Sequence, residues 1–298
     1  MPKVDVIIPA YNAARYLPTA IESVIAQTFE DWKIVLVDDG STDNTEEVVA
    51  PYANRLGPKL KYIKQPNGGV SAARNTAIRN SSAELLAMLD ADDVWAPCRL
   101  SESLKCFENR PEVGLSYGFN TCIDQEGKII ATYDRRQKNA EGRIAPYIYM
   151  RRVDFVCCSV TLRRRCVDEV GLFDETLQVT EDRDLWLRIA LRYEVALAPK
   201  VIAHYRTSPD SLTTNPERML KAQVQFIEKH YGAPGCGVVA RRIALSRVYK
   251  QQAEGLIMRR RQWAALGNSL RALAIYPLDI GNMRTAGSLM LQCAGLNR

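Results

Sequence analysis

Two groups of carboxylates, almost a hundred residues apart, carry the chemistry most plainly. Asp90-Ala91-Asp92-Asp93 ends the apolar run 85–89, and Glu181-Asp182-Arg183-Asp184 follows soon after Gly171-Leu172-Phe173-Asp174-Glu175. An apolar run that stops in acids reads as a buried strand delivering carboxylates at its C-terminal end, where open α/β sheets bind ligands. Mn2+ or Mg2+ takes one or two carboxylates together with phosphate oxygens and water. Asp90 and Asp92 could divide a sugar hydroxyl and a metal between them, with Asp93 as an alternative ligand. Asp182 could take a proton from an acceptor hydroxyl, and the Glu181 charge beside it would raise its proton affinity. Plainer readings stand next to these: a solvated turn capping the next helix for the first group, and helix N-terminal acids for the second.

Three further motifs precede them. Val37-Asp38-Asp39-Gly40-Ser41-Thr42-Asp43 puts carboxylates at a strand end, suited to a nucleobase N–H or a ribose hydroxyl and equally to helix capping. In Pro9-Ala10-Tyr11-Asn12, the Tyr could stack on a base or on a neighbouring loop. In Asn67-Gly68-Gly69-Val70-Ser71-Ala72-Ala73-Arg74-Asn75, a Gly pair opening a helix can receive phosphate, with Arg74 in reach. Neither a G-K-[ST] ending nor G-x-G-x-x-G is present.

The elements that must position these residues follow from periodicity. Strand signals at 4–8, 33–37, 61–65 and 85–89 alternate with helical ones, with Asn12 as the cap of the first helix, Ser41 or Asp43 as the cap of the second, and a helix at 70–79. That rhythm predicts an α/β fold, a mostly parallel sheet with helices on both faces. Later strands are expected at 113–117, 128–133, 155–162, 195–198 and 201–205, with helices at 163–170, closed by Gly171, and 184–192. From Pro216 the pattern is helical, with Trp263, Leu266, Leu270 and Leu273 at helical spacing. The expected boundaries are a catalytic domain over 1–212, split near 112 into nucleotide and acceptor halves, and a basic helical region over 213–298.

Composition excludes several classes. With 298 residues, 47% hydrophobic and 25% charged, the chain can bury a core. Eight cysteines form no C-x-x-C pair and only His204 and His230 are available, so zinc spacing is absent. No apolar stretch approaches the ~20 residues of a membrane span, and no leader stands out. The chain therefore reads as cytoplasmic, or peripheral on the inner face of a membrane. Residues 215–298 hold 13 Lys/Arg against 4 Asp/Glu, a balance of +9, on a body of −3. This asymmetry suggests attraction to an anionic surface. The tail lacks the aromatic-interleaved or zinc modules of a nucleic-acid binder.

Taken in order, the five motifs resemble the family-2 glycosyltransferases of the GT-A fold, over residues 3–207. The resemblance implies an inverting, metal-dependent transferase that moves a sugar from a nucleotide-diphosphate donor, most often a UDP-sugar, to a glycan or lipid-linked hydroxyl, commonly in cell-surface polysaccharide assembly. It assigns Tyr11 and Asp39, with Pro9 and Ala10 beside them, to the nucleobase, Arg74 to the nucleotide, Asp90 to the ribose side of a D-x-D motif, Asp92 to the metal and Asp182 to the catalytic base. A Q-x-x-R-W motif is missing, which favours transfer of single residues. His204 precedes Tyr205-Arg206, whereas relatives place a His two residues after such a pair, so a structural role suits His204 better.

Alternatives remain open at this level. A catalytically silent nucleotide-sugar sensor or scaffold would leave Asp182 dispensable, and a pyrophosphorylase would need a Gly-rich loop with a Lys near the N-terminus. The Arg-rich stretch 134–152 is expected either to meet a phosphorylated acceptor or to be a solvated loop. Arg259-Arg260-Arg261-Gln262-Trp263 precedes an amphipathic stretch that would lie on an anionic membrane, or pack on the catalytic domain or on a second copy in a homodimer.

Overall fold

The computed structural model describes residues 3–132, 140–177, 179–207 and 215–293. The chain divides into two compact units, one of residues 1–144 and 154–209, the other of 145–153 and 210–298. The boundary expected at 212/213 lies outside the described residues.

In the first unit, strand β1 (Val4–Ala10) is buried along its whole length and is apolar except for Asp5. It lies between β2 (Trp32–Asp38) and β4 (Leu85–Met88), with β3 (Leu60–Lys64) beyond β2, and all three pairings are parallel. Helix α1 (Leu17–Ile25) buries Leu17, Ala20, Ile21 and Val24 in one core with Val4, Val6 and Ile8. Helices α2 (Thr45–Leu56) and α3 (Val70–Arg79) complete the crossovers. Past β4 the sheet becomes mixed. Strand β5 (Val94–Trp95) and helix α4 (Arg99–Lys105) lead into β6 (Val113–Ile123), which turns back as β7 (Ile129–Thr132). Then come β8 (Thr161–Arg163), α6 (Arg164–Val170), α7 (Glu181–Ala190) and β9 (Glu194–Arg206). Among the described residues the sheet has nine strands, ordered β3-β2-β1-β4-β8-β6-β9-β5 with β7 beside β6. Strand β8 runs antiparallel to both β4 and β6, and β5 antiparallel to β9, whereas β6 and β9 pair in parallel.

Four local expectations change. Asn12 does not cap α1. It adopts a left-handed φ of 49°, and its Oδ1 accepts the Thr42 N–H at 2.8 Å, tying the β1–α1 loop to the β2–α2 loop. Residues 155–162 are not one strand, because a 3-10 turn at Cys157–Ser159 interrupts them. The two strands expected at 195–205 are a single β9. Helix α7 begins three residues early, so Glu181 and Asp182 sit in its first turn.

The second unit contains helices α5 (Ala145–Tyr149), α8 (Pro216–Lys229), α9 (Val238–Met258), α10 (Gln262–Ile275) and α11 (Ile280–Cys293). Much of the stretch read as an acceptor loop belongs here: the Tyr149 hydroxyl donates to Ile227 O at 2.9 Å, and Arg151 donates to Gln251 Oε1 at 2.6 Å. Arg135, Arg136 and Lys138 lie outside the described residues. No helix among those described is long and apolar enough to cross a membrane.

Inside the parallel half, Asp5 is fully buried and its Oδ2 accepts the Ser82 and Ala83 N–H groups at 2.6 and 2.8 Å, holding the entry to β4. Asp5→Ala is expected to cost about 1–3 kcal/mol by stranding those donors, measured as a drop in the urea unfolding midpoint with unchanged slope.

Candidate active site

Helix α3 joins the two acidic groups. Arg74 is only 4% exposed, yet its Nη2 lies 2.6 Å from Asp90 Oδ1 and its Nη1 lies 2.8 Å from Glu181 Oε1. One guanidinium therefore spans the end of β4 and the start of α7, which are 91 residues apart in the chain. Burial opposes its charge, but the Asp90 and Glu181 charges prevail and hold its pKa well above the ordinary value. Asn75, next along α3, donates to Phe173 O and accepts the Phe173 N–H, both at 2.9 Å, and also donates to Glu175 Oε1 at 2.8 Å. The Phe173 ring sits 5.3 Å from the Arg74 guanidinium and meets Trp186 edge-on. Arg188 secures the other side of that loop, donating to the carbonyls of Val170, Gly171 and Leu172 while pairing with buried Asp184 at 2.8 Å.

Helix α7 starts from a strained position. Thr180, its N-cap, has φ 74° and ψ 7°, a left-handed conformation rare for a β-branched residue. This turn sets Glu181 and Asp182 side by side. Burial, and then the Glu181 charge, push Asp182 up to about 7. Its Oδ1 accepts the Arg183 N–H at 2.6 Å, which leaves Oδ2 for a second partner.

At the end of β4 the three aspartates differ. Asp90 pairs with Arg74. Asp92 is part-buried and is pushed up to about 6 by burial and by the Asp90 charge. Asp93 is buried and its pKa is raised, chiefly by burial, and its Oδ1 accepts the Arg206 N–H at 2.7 Å. The Arg206 side chain donates to Asp92 O at 2.7 Å, so β9 braces this turn from behind. Asp93 is thus a structural acceptor, whereas Asp92 keeps access to solvent. Among the described residues no three His, Cys, Asp or Glu side chains converge as a protein-only metal cage. A part-buried aspartate with raised proton affinity beside a second carboxylate fits a hard cation completed by phosphate oxygens and water.

The residues that the sequence assigns to a nucleotide form a linked rim. Asp39 is buried; its Oδ1 accepts from Gln65 Nε2 at 2.7 Å and from Gly68 N at 2.9 Å, and its Oδ2 accepts from Gly69 N at 2.7 Å. It therefore clamps the Gly pair that opens α3. Gly40 must be glycine, with φ 76° and an added Cβ only 2.8 Å from Asn67 N. Pro9 and Ala10 are buried in β1, so only Tyr11, 53% exposed, offers a side chain to a ligand there. His204 pairs its Nδ1 with Thr121 Oγ1 at 2.6 Å and lines a cavity of about 420 Å3 with Tyr16, Arg206 and Ile123. Burial lowers its pKa, keeping the ring neutral. The Cys157 and Cys158 thiols are buried and pushed well up, so neither supplies a thiolate.

Sequence reasoning placed Arg74 at the nucleotide and missed its bridging contacts, along with the roles of Asn75, Arg188, Gln65 and Arg206. The Asp184–Arg188 spacing of four was a readable signal. The pairing of Arg206 with a turn more than a hundred residues earlier had none.

With this geometry established, comparison with known proteins identifies the class. Residues 5–171 match the model of glycosyl transferase family 2, and the chain belongs to that family. It is 30% identical over 217 residues to a glycosyltransferase of Rickettsia typhi, covering 72% of this chain and 66% of that one. It is 36% identical over 132 residues to a chondroitin synthase of Escherichia coli, covering 44% of this chain and 19% of that one. The chain spans from under a third to about two thirds of the length of the Rickettsia relatives it matches. The fold is that of S. aureus TarS 1–349 in complex with UDP (TM-score 0.66, 19% identity, 99% of this chain and 88% of that). The mannosyltransferase PcManGT of Pyrobaculum calidifontis, solved with GDP-Man and Mn2+, is similar too (TM-score 0.65, 20% identity, 98% and 81%). Both are GT-A glycosyltransferases, and the mixed sheet flanked by helices is of that type.

Arg74→Ala is expected to leave Asp90 and Glu181 uncompensated, costing about 3–5 kcal/mol. Arg74→Lys should recover little of this, because a single ammonium cannot span both carboxylates. Chemical denaturation of the two variants checks both expectations.

Proposed function

We propose that the chain is an inverting, single-residue glycosyltransferase that moves a sugar from a nucleotide-diphosphate donor, a UDP-sugar first, to a hydroxyl of a glycan or lipid-linked acceptor. The observation that carries this reading is the Arg74 bridge, which makes the acids after β4 and the first turn of α7 parts of one site. The neighbours solved with UDP or with GDP-Man and Mn2+ support a nucleotide-sugar donor. Cell-surface polysaccharide assembly is the setting we infer.

In this reading Asp182 Oδ2 takes the acceptor's proton as its oxygen forms a bond to the anomeric carbon. The bond to the diphosphate oxygen breaks on the opposite face, inverting the configuration in one displacement. A cation, Mn2+ or Mg2+, would be held by Asp92, with Asp90 beside it, and would neutralise charge on the departing diphosphate. Tyr11 would meet the base, and the Gly68-Gly69 amides, set by Asp39, would shape the nucleotide cleft. Arg74 keeps Asp90 and Glu181 in place rather than reaching the nucleotide itself. Raising its pKa towards neutrality makes Asp182 a stronger base, and because a protonated Asp182 cannot accept a proton, that base comes into play as pH rises through about 7 and is idle in acid.

Two measurements test this. On a panel of UDP-, GDP- and dTDP-sugars with Mn2+, the wild type should release nucleotide diphosphate slowly from one donor. Asp92→Ala should lose that release, as should wild type with chelator. Retention of release in Asp92→Ala would refute the assigned metal ligand. The transfer rate should rise with pH through about 7 as Asp182 loses its proton. Asp182→Asn should flatten that limb and lower kcat by on the order of 10²–10⁴-fold while leaving donor affinity intact. An unaffected kcat would instead point to a sensor or scaffold.

A further inference from the structure

The corner between α9 and α10 is built inside out. Helix α10 buries small residues, Ala265, Ser269 and Ala272, and turns Trp263 and Leu270 to water. Met258, the last residue of α9, is 84% exposed and Trp263 is 72% exposed. Between them Arg259, Arg260, Arg261 and Gln262 are all exposed. The corner is defined rather than frayed. Arg260 takes a φ of 58°, the Arg261 N–H donates to Leu256 O at 2.9 Å, and the Ala265 N–H donates to Arg261 O at 3.0 Å. Leu256, Ala265 and Leu289 form the apolar core beneath it.

Beside the corner, within the same helical unit, lies a cavity of about 470 Å3. Arg259, Arg261 and Arg271 line it, with Asn268 adding an amide, Leu256 adding apolar wall, and Glu217 as a single opposing acid among the described lining residues. Guanidinium forks and amide donors around one space match the oxygens of a phosphate. A free phosphate would use the arginines but leave Met258 and Trp263 facing water. A second copy of this chain would cover the apolar pair but bring like charges together and desolvate them. An anionic bilayer accommodates both features, because Trp favours the interfacial layer and arginine favours anionic headgroups.

We propose that the α9–α10 corner is a membrane-contact site, which takes a lipid phosphate headgroup into the Arg259/Arg261/Arg271 cavity while Met258 and Trp263 enter the interface beside it. The proposal concerns binding alone and stands or falls separately from the transferase reading.

Vesicle flotation of the full chain tests it. The protein should float with phosphatidylcholine vesicles containing phosphatidylglycerol, and not with phosphatidylcholine alone. Each arginine near such a surface is worth roughly a fivefold gain in partitioning. Arg261→Gln/Arg271→Gln should therefore lower partitioning by about 25-fold, and Trp263→Ser should lower it independently of charge. Arg284→Gln, an exposed arginine of α11 outside the cavity, should change it by less than about twofold. All four substituted residues are exposed, and unchanged thermal midpoints confirm that the variants fold. Flotation indifferent to anionic lipid, or equal losses for Arg284→Gln and Arg261→Gln, would overturn the site. Tight binding of inorganic phosphate by calorimetry without flotation would overturn the membrane assignment in favour of a soluble phosphorylated ligand.

Discussion

The site depends on one buried cation held between two carboxylates. Arg74 has nowhere to place its charge except against Asp90 and Glu181, and neither acid is well accommodated without it. Desolvation makes the arrangement costly to break in any single place, since removal of one member leaves its partners charged in a poor solvent. The bridge thereby couples the β4 strand end to the α7 N-terminus. It also leaves Asp92 and Asp182, the neighbours of the two bridged acids, as the carboxylates with spare capacity. Both are shifted upward by the same causes, burial and an adjacent like charge.

A second set of interactions orders the loops after β1 and β2. Backbone N–H groups at Gly68 and Gly69 point at Asp39, while Asn12, Ser41 and Asp43 lace the β1 and β2 loops together. Gly40 and Thr180 mark where the backbone departs from common conformations, and both sit next to residues assigned to the site.

The helical unit follows different rules. Helix α10 buries the small residues Ala265, Ser269 and Ala272, while Met258 and Trp263 at the α9–α10 corner face outward beside arginines. A packed core and a basic, aromatic surface are both satisfied within one short amphipathic stretch. The periodicity that predicted helices there could not tell an inward stripe from an outward one.

Much of the fold was legible because its signals are local. Largely apolar runs marked β1, β2 and β4, and the helix at Val70–Arg79 was bounded by a Gly pair and a polar stop. The acids were legible as types at strand and helix ends, and their order along the chain resembled a family to which the chain belongs. What the residues alone determined was which groups could do chemistry. Which of the adjacent acids stays available, Asp92 rather than Asp93, was decided by the Arg206 backbone arriving from 113 residues further along the chain. Whether Arg74 faces ligand or protein was decided by Glu181 coming within hydrogen-bonding distance. Charge pairing and burial act through space over a few ångströms, whereas sequence patterns report only on neighbours along the chain, so the division of labour among like residues emerged only in three dimensions.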